Sequence, residues 1–87
     1  MAQKTIQLKL DKGLHARPVT QIIKYLENFT CDVNINYNGK SANAKSMLAL
    51  LTLGIKPNSE IEIVTQGEAA EALLDKFIAF LENELVA

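Results

Sequence analysis

The run from Gly13 to Pro18, Gly-Leu-His-Ala-Arg-Pro, contains the only histidine of the 87-residue chain. The imidazole side chain has a reference pKa of about 6.5. Much of His15 is therefore uncharged at neutral pH and can act as a nucleophile that forms a covalent intermediate. The guanidinium of Arg17, two positions later, can bind two phosphate oxygens at once. A nucleophilic imidazole beside such a cation indicates a phosphohistidine site.

The residues after His15 predict a helix whose first turn assists this chemistry. The first N–H groups of a helix have no intrahelical partner and carry partial positive charge, so they bind anions. We therefore expect the backbone N–H groups of Ala16 and Arg17 to contact a phosphate. Pro18 has no N–H to lose and suits the first turn, whereas Gly13 lets the preceding loop bend.

Other interpretations of these residues have to be weighed against this one. Taken in isolation, a loop histidine before arginine and proline is more often a solvated surface residue. One histidine without a partnering histidine or cysteine offers too few ligands for a typical transition-metal site, so we expect neither a metal nor a cofactor. Ser41, Ser46 and Ser59 lack a GxSxG-type context and would have to share His15, which argues against a hydrolytic triad.

Length and composition favour a single globular domain over residues 1–87. Nine basic and ten acidic residues give a net charge of -1, which argues against direct binding of nucleic acid. The run Met47 to Leu51, which no apolar run in the chain exceeds in length, is too short to cross a bilayer, and the N-terminus has no signal-like apolar segment. We expect a cytoplasmic protein without membrane insertion, in which the lone Cys31 is a small core residue.

Hydrophobic periodicity predicts four strands and three helices. Alternating residues indicate strands at Ile6, Leu8 and Leu10, at Val33 to Tyr37, at Lys40 to Ala44, and at Ile61, Ile63 and Thr65, with Asn38-Gly39 as a hairpin turn. Helical spacing connects Val19, Ile22, Ile23, Leu26 and Phe29, then Met47 to Leu53, then Ala70, Leu73, Leu74, Phe77, Ile78, Leu81 and Leu85.

The resulting order is β-α-β-β-α-β-α, and each strand has one apolar face. Right-handed crossovers that skip a strand position then give two interleaved split β-α-β units. We predict an α+β fold, an open-faced β-sandwich. Its four-stranded antiparallel sheet has strand order 1-4-2-3 and is covered on one face by three helices.

Four motifs stand out along the chain: Gly-Leu-His-Ala-Arg-Pro at 13–18, Asn-Gly-Lys at 38–40, Ala-Lys-Ser-Met-Leu at 44–48 and Leu-Gly-Ile at 53–55. Together they closely resemble the HPr family, the histidine-containing phosphocarriers of the bacterial phosphoenolpyruvate-dependent sugar phosphotransferase system. The similarity covers the whole chain, in order and without large gaps. It implies a monomeric carrier that works within a relay rather than a stand-alone enzyme.

In this relay, the resemblance implies, enzyme I receives a phosphoryl group from phosphoenolpyruvate and passes it to Nδ1 of His15. His15 then transfers the group to the IIA domains of sugar permeases. Arg17 and the helix N–H groups would hold the phosphoryl group, without a cofactor. Modest contacts suit a carrier, because the group has to leave again.

The resemblance also implies that the short helix after Ser46 docks these partners. Its apolar residues are too many for all of them to enter a small core. We assign Leu50 and Leu53 to the core. The candidates for the partner-binding surface are Lys24, Lys45, Met47, Leu48, Leu51 and Thr52.

Ser46 is expected to cap the start of this helix, and Gly54 suits its left-handed end. In HPr proteins of many low-GC Gram-positive bacteria the matching serine is phosphorylated by an ATP-dependent kinase. Ser46 is therefore a candidate regulatory site, with a serine kinase/phosphatase and a transcriptional regulator as further partners. Its phosphate would add about two negative charges beside the docking surface.

Three residues depart from the common family pattern. Lys12 stands where serine, threonine or asparagine is more usual, and like-charge repulsion from it would lower the pKa of His15. Glu27 and Ala49 stand where several relatives have lysine or another residue, which leaves fewer cations on the docking surface. A paralogue serving a nitrogen-related regulatory phosphorelay and a non-carrier binding module with the same fold remain alternatives.

Overall fold

The computed structural model describes residues 1–8 and 16–83 of the chain. Strands and helices follow one another in the predicted order. Their bounds are β1 Ala2–Leu8, α1 Ala16–Leu26, β2 Asp32–Tyr37, β3 Lys40–Asn43, α2 Met47–Leu53, β4 Ser59–Gln66 and α3 Ala70–Asn83. Leu10 and Leu85, assigned to the first strand and the last helix, lie outside the described residues.

Three element ends differ from the predicted ones. Helix α1 stops at Leu26, and the N–H of Phe29 closes a turn by donating to the Leu26 carbonyl at 3.1 Å. Asn28, whose side chain competes for backbone hydrogen bonds, is a poor helix former at this point. Ala44 lies just beyond β3, although its N–H still donates to the Val33 carbonyl. Ser59, assigned to the break before the last strand, is the first residue of β4.

The four strands form one antiparallel sheet in the order β1-β4-β2-β3, as predicted. In the registers, Ile61 of β4 lies opposite Ile6 of β1, and Ile63 lies opposite Ile35 of β2. The hairpin between β2 and β3 turns at Asn38 and Gly39, with φ of 51° and 80°. Two successive positive φ angles are what a two-residue type I′ turn requires.

The core lies between one face of this sheet and the helices. Helix α3 packs on β1 and β4, while α2 packs on β3 and α1. The predicted open-faced α+β sandwich is confirmed. The side chains that fill the core include Ile6, Leu8, Val19, Ile22, Leu26, Val33, Ile35, Leu50, Leu53, Ile61, Ile63, Leu73, Phe77 and Leu81.

Cys31 belongs to this core, as expected for a small hydrophobic residue. It is buried, and its Sγ donates to the Glu68 carbonyl oxygen at 2.7 Å. Gly67 lies against it, and a Cβ added at Gly67 would stand 3.5 Å from Cα of Cys31. With a φ of 120°, the backbone of Gly67 also has a conformation that side chains disfavour.

Thr65 is a buried polar residue at the end of β4. Its Oγ1 donates to the carbonyl oxygen of Ala70, the first residue of α3, at 2.8 Å. The Ala2 carbonyl oxygen of β1 lies 3.5 Å from the same hydroxyl. One hydroxyl thus meets the start of α3 and the first residue of the neighbouring strand.

We predict that Thr65→Val lowers the free energy of unfolding by about 1 kcal/mol, because valine keeps the shape of threonine but cannot donate a hydrogen bond. Urea denaturation followed by circular dichroism measures the change. Thr5→Val is the matched control, since Thr5 is exposed on β1, and it should stay within about 0.5 kcal/mol of the wild-type value. Equal stabilities of the two variants would contradict the role of the Thr65 hydroxyl.

Candidate functional site

The start of α1 lies next in sequence to His15, but His15 itself, like Lys12 and Gly13, lies outside the described residues. Helix α1 begins at Ala16, so the N–H groups of Ala16 and Arg17 belong to its first turn. Arg17 is exposed, and the first turn contains no acidic residue. The helix start therefore offers positive potential to solvent.

Pro18 fixes this helix start against the core. Its side chain is fully buried, as is that of Val19 after it, whereas the side chain of Arg17 before it is exposed. Proline costs no intrahelical hydrogen bond in the first turn. The buried proline anchors the helix N-terminus to the core and leaves the Arg17 side chain in solvent.

Helix α2 has both predicted caps. Ser46 has the extended conformation of an N-cap, with φ -111° and ψ 115°, and its Oγ accepts a hydrogen bond from the N–H of Ala49 at 3.3 Å. At the other end, Gly54 has the left-handed conformation, and its N–H donates to the Leu51 carbonyl oxygen at 3.3 Å. Both caps satisfy backbone groups that a seven-residue helix would otherwise leave to water.

The two faces of α2 are divided as predicted. Leu50 and Leu53 are buried, whereas Leu48 is 77% exposed, Met47 42% and Leu51 37%. Large apolar side chains are uncommon in such exposed clusters unless they contact another molecule. Thr52 is also exposed, but its Oγ1 donates to the Leu48 carbonyl oxygen at 2.7 Å, within the helix.

A groove runs between α1 and α2, and three candidate partner-binding residues meet in it. We call it the α1–α2 groove. Sequence reasoning assigned Lys24, Lys45 and Met47 to the surface, but it left out the groove residues Thr20 and Ile23. The helical repeat contains a signal for both, because Thr20, Ile23, Lys24 and Glu27 follow the i, i+3, i+4, i+7 spacing of one helix face. The lining residues are Thr20, Ile23, Lys24, Glu27, Lys45 and Met47.

Lys45 connects the elements on the two sides of this groove. Its Nζ donates to the carbonyl oxygen of Phe29, just beyond the end of α1, at 2.8 Å, and the side chain is half-buried. A cation is favourable there, because helix C-termini carry partial negative charge. The Phe29 ring in turn lies 5.5 Å from the Tyr25 ring, which stacks at 4.3 Å on Phe80 of α3.

Three further candidates lie on the other side of α2. Ser46, Leu48 and Thr52 line a second groove, between α2 and the edge strand β3, which we call the β3–α2 groove. Five of the six partner-binding candidates are thus distributed over two grooves on opposite sides of one helix, and Leu51 lines neither groove. Sequence reasoning missed Lys40 and Ser41, because only the tertiary packing of β3 beside α2 brings them to this groove. The lining residues are Lys40, Ser41, Ser46, Leu48, Ala49, Thr52 and Leu53.

No group of three or more metal-ligating His, Cys, Asp or Glu side chains occurs among residues 1–8 and 16–83. Within the same described ranges, none of the helices is both long enough and apolar enough to cross a membrane.

We predict that Lys45→Met lowers the free energy of unfolding by about 1 kcal/mol, because the Phe29 carbonyl loses a charged donor at the end of α1. The matched control is Lys24→Met, since Lys24 lines the same groove but is exposed. This control should change the free energy by less than about 0.5 kcal/mol. Chemical denaturation of the two variants measures the difference, and a destabilised Lys24 variant beside an unchanged Lys45 variant would contradict it.

Comparison with known proteins places this fold and this sequence in one family. Residues 2–83 match the family model described as the phosphorylation site of the PTS HPr component. The HPr-like protein Crh of Bacillus subtilis is 33% identical over 85 residues, which cover 98% of this chain and 100% of that protein.

Solved structures agree with this match. The crystal structure of the phosphocarrier protein HPr from Bacillus anthracis superimposes with a TM-score of 0.84 at 37% identity, covering 91% of this chain and 94% of that chain. The crystal structure of Crh from Bacillus subtilis, described as a dimer with a swapped domain, has a TM-score of 0.76 at 32% identity and covers 100% of both chains. By sequence and by fold, the chain belongs to the HPr family of phosphocarrier proteins of the phosphotransferase system.

Proposed function

We propose that His15 accepts a phosphoryl group from phosphorylated enzyme I and passes it to IIA domains of sugar permeases. The observation that carries this proposal is the match of residues 2–83 to the model of the HPr phosphorylation site. The chain contains a single histidine, His15, which lies in that span within the Gly13–Pro18 motif.

The chemistry requires an unprotonated ring nitrogen of His15. Its lone pair attacks the phosphorus, and the new N–P bond forms as the bond between phosphorus and the donor breaks. The same exchange, with the IIA domain as acceptor, releases the group again. Phosphate oxygens would meet the N–H groups of Ala16 and Arg17 at the start of α1 and the guanidinium of Arg17.

The docking surface in this proposal combines apolar and basic side chains. Met47, Leu48 and Leu51 supply exposed apolar area on α2, and Lys24 supplies an exposed positive charge beside them. Glu27 lines the same groove and reduces its net positive charge. Acidic partner surfaces with an apolar centre fit this composition, and electrostatic attraction would mainly speed their association.

We predict that incubation with phosphoenolpyruvate and enzyme I labels the wild-type chain with acid-labile phosphate and leaves His15→Ala unlabelled. Arg17→Ala should fold normally and slow transfer by about tenfold, because a charge-assisted contact to the transferring group is lost. Arg17→Lys keeps the positive charge but cannot bind two phosphate oxygens at once, so its transfer rate should fall between those of the wild type and Arg17→Ala. No label on the wild type would overturn the carrier function, and an unchanged rate in Arg17→Ala at saturating partner would overturn the role of Arg17.

Purified IIA proteins then separate the two carrier branches. Transfer from the labelled chain to a sugar-specific IIA protein supports the proposal. Exclusive transfer to the IIA protein of the nitrogen-related phosphorelay would instead assign the chain to that branch.

A second candidate function is regulation through phosphorylation of Ser46. It is favoured by the similarity to Crh of Bacillus subtilis, which is described as a catabolite repression protein. Ser46 stands at the N-terminus of α2, where helix polarity tolerates a phosphate. The phosphate would lie beside Leu48 in the β3–α2 groove. The dimer is a property of Crh, and a monomer stays the prediction for this chain.

We expect mass spectrometry of the chain from its host to detect acid-stable phosphate on Ser46 under some growth condition. The charge added beside the exposed leucines should weaken docking of acidic partners. Acid-labile phosphate alone, under all conditions, would exclude this regulation.

A further inference from the structure

Helix α2 borders an edge of the sheet beside which no further strand lies among residues 1–8 and 16–83. The order β1-β4-β2-β3 makes β3 an edge strand, and the β3–α2 groove of about 480 Å³ lies between this strand and the helix. Leu48, the most exposed large apolar residue of α2, lines the groove together with Ala49 and the buried Leu53. A strand beside β3 would cover this apolar surface.

The backbone of β3 is ready to pair with such a strand. The N–H of Ala44 donates to the Val33 carbonyl. In an antiparallel pair every second pair of opposite residues exchanges hydrogen bonds, so the next such pair is Ile35 and Ala42. The peptide groups of Ser41 and Asn43 therefore point away from β2. The Asn43 carbonyl oxygen accepts from the N–H of Ser46. Within the described residues, the N–H groups of Ser41 and Asn43 and the Ser41 carbonyl have no backbone partner.

The side chains around the groove restrict what such a strand would contain. Lys40 projects to the same side of β3 as Ala42, which is buried beneath the helices. It is the charged residue among the side chains that line the groove, and none of these is acidic. A suitable occupant has alternate apolar side chains that face α2 and a carboxylate two positions further along, near Lys40. Such a segment complements both the apolar surface and the positive charge of Lys40.

We propose that the β3–α2 groove binds an extended peptide segment of a partner protein, which adds as a fifth strand beside β3. The backbone of the segment pairs with Ser41 and Asn43, and its alternate side chains pack against Leu48 and Ala49. Strand addition of this kind takes affinity from main-chain hydrogen bonds and specificity from the alternate side chains.

A second copy of this chain fits the groove less well. A symmetric contact between two β3 strands would bring two α2 helices to the same face of the joined sheet, over strands of only four residues each. An isolated extended segment brings no helix of its own. The β3–α2 groove is separate from the α1–α2 groove, although its residue Leu48 also belongs to the proposed docking surface for carrier partners.

The test is a selection from a displayed library of short unstructured peptides on the immobilised wild-type chain. Ser41→Pro removes the outward N–H, and an edge strand tolerates proline at such a position. Ser41→Ala is the matched control, because it removes the hydroxyl and keeps the N–H. We expect the selected peptides to share alternating apolar residues followed by an acidic one, and to bind Ser41→Pro about tenfold more weakly than Ser41→Ala.

A measurement on the wild-type chain keeps the proposal testable even if the proline variant does not fold. Addition of a selected peptide should slow hydrogen exchange at the N–H groups of Ser41 and Asn43, and it should leave the exposed N–H groups of β1 unchanged. Failure to select any peptide, equal binding to both Ser41 variants, or unchanged exchange at Ser41 and Asn43 would each overturn the proposal. If a selected peptide instead dissociated a dimer of this chain, the β3 edge would be assigned to contacts between copies and the proposal would be overturned.

Discussion

The burial of one face of β4 is the constraint on which the other elements depend. This strand pairs with β1 on one side and β2 on the other, so it is central to the sheet. Its alternation turns Ile61, Ile63 and Thr65 toward the helices, and all three are almost completely buried. A shift of one residue in its register would exchange these side chains for Glu60, Glu62 and Val64. Such a shift would place carboxylates in the core, which fixes the register of both neighbouring strands.

Helix α2 depends on its surroundings more than α1 or α3 does. Seven residues are too few for a stable isolated helix in water. Its position is set by burial of Leu50 and Leu53, by the caps at Ser46 and Gly54, and by the bond from Lys45 to the Phe29 carbonyl. The exposed side chains of α2 are therefore held in place by contacts on the opposite side of the helix. This arrangement fixes the positions of the few exposed side chains that form the docking surface.

Sequence reasoning predicted the architecture because the signals in this chain are local and agree with one another. Alternation at Ile61 and Ile63, the Asn38-Gly39 turn and the cap at Ser46 each specify one element without knowledge of the others. The division of α2 into buried and exposed residues could also be predicted, because a small core accepts only one face of a helix. Strand order followed from chain connectivity.

The two grooves could not be predicted in the same way. Lys40 and Leu48 come together only through the packing of β3 beside α2, and no sequence spacing encodes that contact. The partner of Lys45 was equally hidden, because a backbone carbonyl leaves no trace in residue type. Sequence reasoning treated Lys45 as one more surface cation, whereas the structure engages its ammonium at the end of α1.

The aromatic stack behind α1 has a spectroscopic consequence. The chain has no tryptophan and two tyrosines, so its intrinsic emission comes from Tyr25 and Tyr37. Tyr25 lies between Phe29 and Phe80, and Phe29 also accepts the hydrogen bond of Lys45 through its carbonyl. A movement of α2 against α1 that shifted Lys45 would therefore act, through Phe29, on the surroundings of one fluorophore. Tyrosine emission would therefore offer an optical signal for binding in the α1–α2 groove, superimposed on the emission of Tyr37 at the end of β2.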